Sequence, residues 1–309
     1  MNSKLHISVS PHIHSARSTS SIMLDVIIAL LPTTLAGALI FGLRSLAVVT
    51  VCVLSCVLCE FLFNVIVKKR QTISDLSAVV TGLLLSLNLS ADIPLWQAAV
   101  GSIFAIIVVK CLFGGIGCNL VNPAITARVF MLISFGAMAK SALPKSVDSA
   151  SGATPLADLS EGKLPSLIDL FLGNKSGAIG EVCVLALIIG LVYLLARKVI
   201  TWHIPVSFIG TVYLLSLVYE GFDPISALAW ILSGGLFIGA IFMATDYVTS
   251  PATPIGKLVF GVCCGLLTVL IRFWGTYPEG VSFAILFMNI LTPYIDSLTQ
   301  RKLFGGKAV

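Results

Sequence analysis

Ten long runs of apolar residues, with almost no charge inside them, set what this chain can fold into. They are Ile22–Gly42, Ser45–Val67, Asp75–Asn88, Pro94–Phe113, Pro123–Met138, Ala178–Ala196, Ile204–Tyr219, Ser226–Thr245, Gly256–Trp274 and Gly280–Tyr294. Crossing the hydrocarbon of a bilayer takes about 20 residues of helix. Backbone groups in lipid must be satisfied within the segment, which leaves helices as the economical solution for runs of this length. The chain is 57% hydrophobic and 11% charged, with a mean hydropathy of +1.04, too little charge to cover a soluble domain of 309 residues. The expected fold is therefore an all-α polytopic membrane protein of about ten transmembrane helices. Asp75–Asn88 and Pro123–Met138 are short for a full crossing, and are expected to be broken or tilted helices covered by protein. The first 21 residues are polar, so no cleavable signal peptide is expected. A net charge of +5, dispersed along the chain, gives no reason to expect nucleic acid.

Positive charge sets the orientation. With the N-terminus in the cytoplasm, 12 Lys and Arg residues, Lys110 among them, fall on the cytoplasmic side and 6 on the far side, with Arg128 set aside as intramembrane. Both termini are then cytoplasmic, and the polar stretch 140–177 is extracytoplasmic. It divides the runs five and five, giving a cytoplasmic segment 1–21, a first membrane half 22–139, the loop 140–177, a second half 178–295 and a tail 296–309. An odd number per half makes the halves opposite in topology. Two echoes agree: "TGLLLSLNL" (Thr81–Leu89) with "GGLFIGAIF" (Gly234–Phe242), and "NLVNPAITARVF" (Asn119–Phe130) with "EGVSFAILFMNI" (Glu279–Ile290). An inverted repeat of this kind places a site at the repeat interface, near the midplane.

Three motifs interrupt the apolar pattern. "GGIGCNLVNPA" (Gly114–Ala124) has glycines that no stable helix interior would carry, followed by Asn119 and Asn122. Asn122 and Pro123 suit the N-cap and first position of a helix. Two readings stay open: a tight turn with a capped helix, or an unwound helix start where paired amides hold a flat polar ligand. "FMATDYVTSPATPIGK" (Phe242–Lys257) puts Asp246 at a segment end before two prolines, either a capped loop or a broken helix whose carboxylate lines a pocket. "SGATP" (Ser151–Pro155) reads locally as Thr154 capping a loop helix, with Pro155 at the first position and Asp158 in the first turn.

Asp25 and Arg128 lie inside apolar runs, where an ionisable side chain usually faces a partner or water. Asp25 and Asp246 are candidates for coupling to an ion. Arg128 either snorkels to the interface or meets a carboxylate or a cofactor edge. Glu60, near a helix end, is expected to be solvated. The eight cysteines sit in or beside apolar segments and read as small hydrophobes. The alternative, iron–sulfur ligation by Cys56 with Cys59 or by Cys263 with Cys264, lacks a clustered motif, and no metal site is expected.

With "SPHIHSARSTSSIMLDVIIALLP" (Ser10–Pro32), the glycine–asparagine motif and the Asp246 motif together, in that order, the chain resembles the NqrB/RnfD family. Its members are the RnfD subunits of Rnf electron-transport complexes and the similar NqrB subunit of sodium-pumping NADH:quinone reductase. The likeness runs from Ser10 to about Asp296. It implies two inverted five-helix halves and covalent FMN, joined by a phosphoester to the threonine of Ser151-Gly152-Ala153-Thr154. The same likeness implies a non-covalent riboflavin site at Asn119 and Asn122; Gly115 of that motif and Arg128, read from the residues, are further flavin-binding candidates. It also implies a bacterial inner-membrane complex with iron–sulfur and flavin subunits, ferredoxin/NAD electron transfer coupled to Na+ or H+ movement, and a flavin transferase for maturation. No complete catalytic site is expected in this chain alone. The competing reading is an inverted-repeat solute transporter or channel without a redox cofactor.

Overall fold

The computed structural model describes residues 17–135, 154–160, 162, 164–275 and 280–300, which form helices and no β-strand. Four helices are long and apolar enough to cross a membrane: α1 (Thr19–Phe41), α2 (Leu43–Ile66), α12 (Pro254–Trp274) and α13 (Val281–Thr299). A bent pair is apolar enough when its two pieces are taken together: α10 (Pro224–Leu232) followed by α11 (Leu236–Ile238) and a π turn Gly239–Met243, with 66° between them. Shorter apolar helices are α3 (Ser77–Leu87), α4 (Leu95–Ile103, continuing as a π turn to Cys111), α5 (Pro123–Ser134), α8 (Val184–Ala196) and α9 (His203–Tyr219). Together they match the ten predicted runs one for one. The polar stretch adds two small helices, α6 (Pro155–Ser160) and α7 (Leu167–Leu172).

The short helices survive because others cover them. Ten of the eleven residues of α3 are buried, so its backbone ends meet protein rather than lipid. Caps mark several starts: the Asn122, Asp223 and Thr253 side chains each accept backbone N–H groups at the head of a helix with proline in its first turn. Some packing partners correspond between the first and last five apolar segments. Helix α2 packs against α3 and α4 as α9 packs against α10 and α12, while α1 meets α8 and α5 meets α13 across the middle.

Three expectations need correction. The run Ala178–Ala196 is helical only from Val184; residues 178–183 form a buried extended turn, with Ile179 and Gly180 donating to Leu89 O (3.0 Å) and Leu87 O (2.7 Å). A side chain at position 180 would stand 2.7 Å from Leu87 Cβ, so glycine is what allows this approach. The run Ser226–Thr245 breaks at Ser233–Gly235, with Gly234 at φ +67, not at the prolines after Asp246. Helix α13 runs on to Thr299, past the expected start of the tail. The expected helix over 136–138 falls outside the described residues.

Candidate functional site

A partly open cavity lies where the start of α1, the starts of α3 and α5, the end of α4, and the end of the α10–α11 pair converge. Ser77, Lys110, Asn119, Asn122 and Asp246 supply its polar lining; Met23, Leu84, Leu194 and Phe242 supply much of the apolar wall. Two of the motifs singled out in the sequence, about 125 residues apart, therefore face one space.

The glycine motif folds as its composition dictates. Gly114, Gly115 and Gly117 have φ of +122, +104 and +87, conformations that other residues rarely adopt. Asn122 then caps α5, its Oδ1 accepting from Ala124 N (3.0 Å) and Ile125 N (3.3 Å), while Nδ2 donates to Met243 O (3.4 Å). Asn122 thus meets the capped-helix reading, with both ends of its amide engaged by protein. Asn119 differs: its Oδ1 is buried against the cavity and has no hydrogen-bond partner. An orphaned acceptor of this kind costs about 1–3 kcal/mol unless something donates to it, so the site fits a ligand that presents an N–H or O–H there. Gly115 shapes the loop without lining the cavity; Ile116 does so instead.

Asp246 sits just past the segment end. Its Oδ2 accepts from Thr249 Oγ1 (3.1 Å), and loss of surrounding water pushes the carboxyl above its usual range. Behind it, Asn289, with its amide oriented by its neighbours, accepts from Asn122 N (3.2 Å) and donates to Thr249 O (3.2 Å). Nothing in the sequence pattern had pointed to Asn289. Thr253 caps α12, so the prolines of this motif start a helix rather than break one.

Arg128 does not snorkel. It is buried, and its Nη2 donates to Glu181 Oε1 (2.8 Å) and its Nη1 to Asn88 Oδ1 (2.7 Å). Asn88 Nδ2 in turn reaches Met243 Sδ (3.6 Å), and Arg128 is not among the residues that line the cavity. Asp25 is likewise partnered: it accepts from Tyr193 Oη (3.0 Å) and Arg197 Nε (3.2 Å), tying α1 to α8.

Glu60 and Lys110 correct the sequence reading most sharply. Expected on a solvated face, they are 2% exposed each and form a buried ion pair of 2.8 Å, with Lys110 Nζ also donating to Ser77 Oγ (2.6 Å). The signal was present: both charges lie within apolar runs, where an ionisable group ordinarily marks a function or a partner.

Thr154 lies apart from this cavity. It is half-buried and heads α6, its Oγ1 accepting from Ala157 N (3.3 Å), with Asp158 in the first turn as expected. Ser151, Gly152 and Ala153 lie outside the described residues. Leu156 and Leu159 bury α6 in the core, and Leu156 packs on Gly234, at the break of the α10–α11 crossing. Among the described residues no group of three or more His, Cys, Asp or Glu could hold a metal ion, and all eight cysteines are free.

Fold and site together define a polytopic helical membrane protein with a cavity of mixed polar and apolar lining and a capped threonine helix set away from it. The NQR2, RnfD, RnfE family model matches residues 6–305, and the chain belongs to that family. It is 46% identical over 307 residues to the D subunit of the Na(+)-translocating ferredoxin:NAD(+) oxidoreductase complex of Acetobacterium woodii, covering 97% of this chain and 95% of the relative. The D subunit of the proton-translocating ferredoxin:NAD(+) oxidoreductase complex of Clostridium ljungdahlii is 41% identical over 321 residues, covering 97% and 96%. The D subunit of the ion-translocating oxidoreductase complex of Escherichia coli (strain K12) is 35% identical over 346 residues, covering 97% and 98%.

Proposed function

We propose that this chain is the flavin-carrying membrane subunit of an Rnf-type ion-translocating ferredoxin:NAD oxidoreductase. It relays electrons between FMN esterified to Thr154 and a second, non-covalent flavin in the cavity. The observation that carries the reading is the setting of the Thr154 hydroxyl: half-buried, at the head of α6, and docked through Leu156 on the same broken crossing that lines the cavity. A phosphoester there keeps an oxygen able to accept from Ala157 N, and leaves the ring free for redox chemistry, which is the cofactor's own. Iron–sulfur and flavin subunits would supply and remove electrons, and a transferase would attach the FMN.

The cavity suits a flavin without a phosphate. Among the described lining residues Lys110 is the cation, and Glu60 already neutralises it at 2.8 Å. Asp246 adds a carboxylate to the same wall. A phosphate would meet repulsion there, whereas riboflavin brings N–H and hydroxyl donors for Asn119 Oδ1. Asp246 is the candidate kept for coupling to an ion, since Asp25 is committed to Arg197 and Tyr193.

The test uses denaturing gels of chain made in cells that hold the transferase. Wild type is expected to show a fluorescent band of the chain's size and intact mass increased by FMN. Thr154→Ala is expected to lose both; a fluorescent Thr154→Ala band would refute the assignment. Asn119→Ala is expected to lower acid-extractable flavin and leave the gel band unchanged.

A further inference from the structure

We infer that Glu60, Lys110 and Thr72 form a proton relay between the cavity and the face of the bundle that carries the start of α1, with Lys110 the group that exchanges a proton with the redox ligand. The inference rests on the cavity holding a flavin, as proposed above. Lys110 lines the cavity while only 2% of it is exposed to solvent. From its Nζ, one hydrogen bond reaches Glu60 Oε2 (2.8 Å); the other carboxylate oxygen accepts from Thr72 Oγ1 (2.6 Å); and Thr72 is exposed. Three side chains thus connect the cavity wall to water without a gap. Asn64 Nδ2 holds the Thr72 hydroxyl (3.0 Å), and Ser77 Oγ, tied to Asp75 Oδ1, holds Lys110 (2.6 Å). Ser20 Oγ donates to Ser74 O (2.9 Å), which places Thr72 at the end of the bundle where α1 begins.

Stability alone is a poor explanation for this arrangement. A buried ion pair is often no more stabilising than apolar residues of the same volume, and ionisable groups at membrane depth usually serve a path. Flavin reduction needs protons as well as electrons.

In the reducing direction, an upstream one-electron carrier of the complex, an iron–sulfur or flavin centre, is oxidised by one electron, and the bound ring gains it. An N–H bond of the Lys110 ammonium breaks as a ring N–H bond forms. Water at Thr72 returns a proton through Glu60 to the Lys110 amine, and ring oxidation reverses the sequence. The charged and titratable groups around Lys110 are Glu60 and Cys56 from α2, Asp75 through Ser77, the neighbouring Cys111, with Cys59 and Lys69 further off, and Asp246 across the cavity.

The assembled complex can be reduced rapidly with dithionite while ring protonation is followed by absorbance. Thr72→Val changes an exposed residue and keeps its shape, so the fold and the extractable flavin are expected to stay as in wild type. Its protonation is expected to slow about tenfold, and Lys110→Met about a hundredfold. Glu60→Gln is expected to fall between them, and a small weak acid such as imidazole to restore the rate in Thr72→Val. Unchanged protonation in Thr72→Val and Glu60→Gln, with flavin present, would overturn the relay alone. Wild-type complex without extractable flavin would overturn the cavity reading and the relay with it.

Discussion

At the scale of single residues, several buried charges stand in ion pairs. Arg128 and Glu181 lie 2.8 Å apart and almost wholly out of solvent. Removing one partner strands the other, a loss of about 3–5 kcal/mol. Arg128→Met should therefore lower stability in mixed-micelle unfolding by that order, and Arg128→Met with Glu181→Gln together should lose much less than the two single losses added. Lys175 gives a pH-dependent counterpart. It sits in the turn before α8, its Nζ donating to Leu232 O (2.5 Å), and burial pulls its pKa from 10.5 down to about 8. The folded state then binds fewer protons than the unfolded one between about pH 8 and 10.5, so stability should rise through that window, by at most about 3 kcal/mol, and be flat below it. Lys175→Met should abolish the rise in pH-dependent unfolding. Thr154, Asn122 and Asp246 were legible in the sequence because caps and chain breakers act within four residues. The partners of Glu60, Lys110 and Arg128 come from other helices, and a charge in an apolar run does not name its partner.

At the scale of elements, the glycines separate into two kinds that composition cannot distinguish. Gly115 needs its φ of +104 but has open space around it, whereas Gly180 is wedged against Leu87. Gly115→Ala should cost about 1–2 kcal/mol through the backbone alone. Gly180→Ala should cost more, because Leu87 O and Cβ stand at 3.0 and 2.7 Å and belong to a packed helix end. Unfolding midpoints of the two variants, compared side by side, check the order. The same contrast explains where the crossings break. The prolines after Asp246 drew attention as breakers, yet they begin α12; Ser233-Gly234-Gly235, with no proline, makes the 66° bend. Proline is tolerated at a helix start, and two glycines beside an extended serine are what end α10.

At the scale of the whole molecule, an all-helical membrane protein with ten apolar helical segments was readable from hydropathy, because lipid leaves the backbone few alternatives. What sequence could not supply was the meeting of the halves. Arg128 and Asn88 belong to the first five apolar segments, and Glu181 stands just before the helical part of the sixth. While the chain is being synthesised, the guanidinium enters the bilayer before its carboxylate exists. A fragment ending before residue 178 would have to keep that charge in lipid, so cells making it alone should clear it quickly, and co-expressing the remainder should rescue it. The order of membrane insertion thus becomes a checkpoint, in which the second half certifies the first.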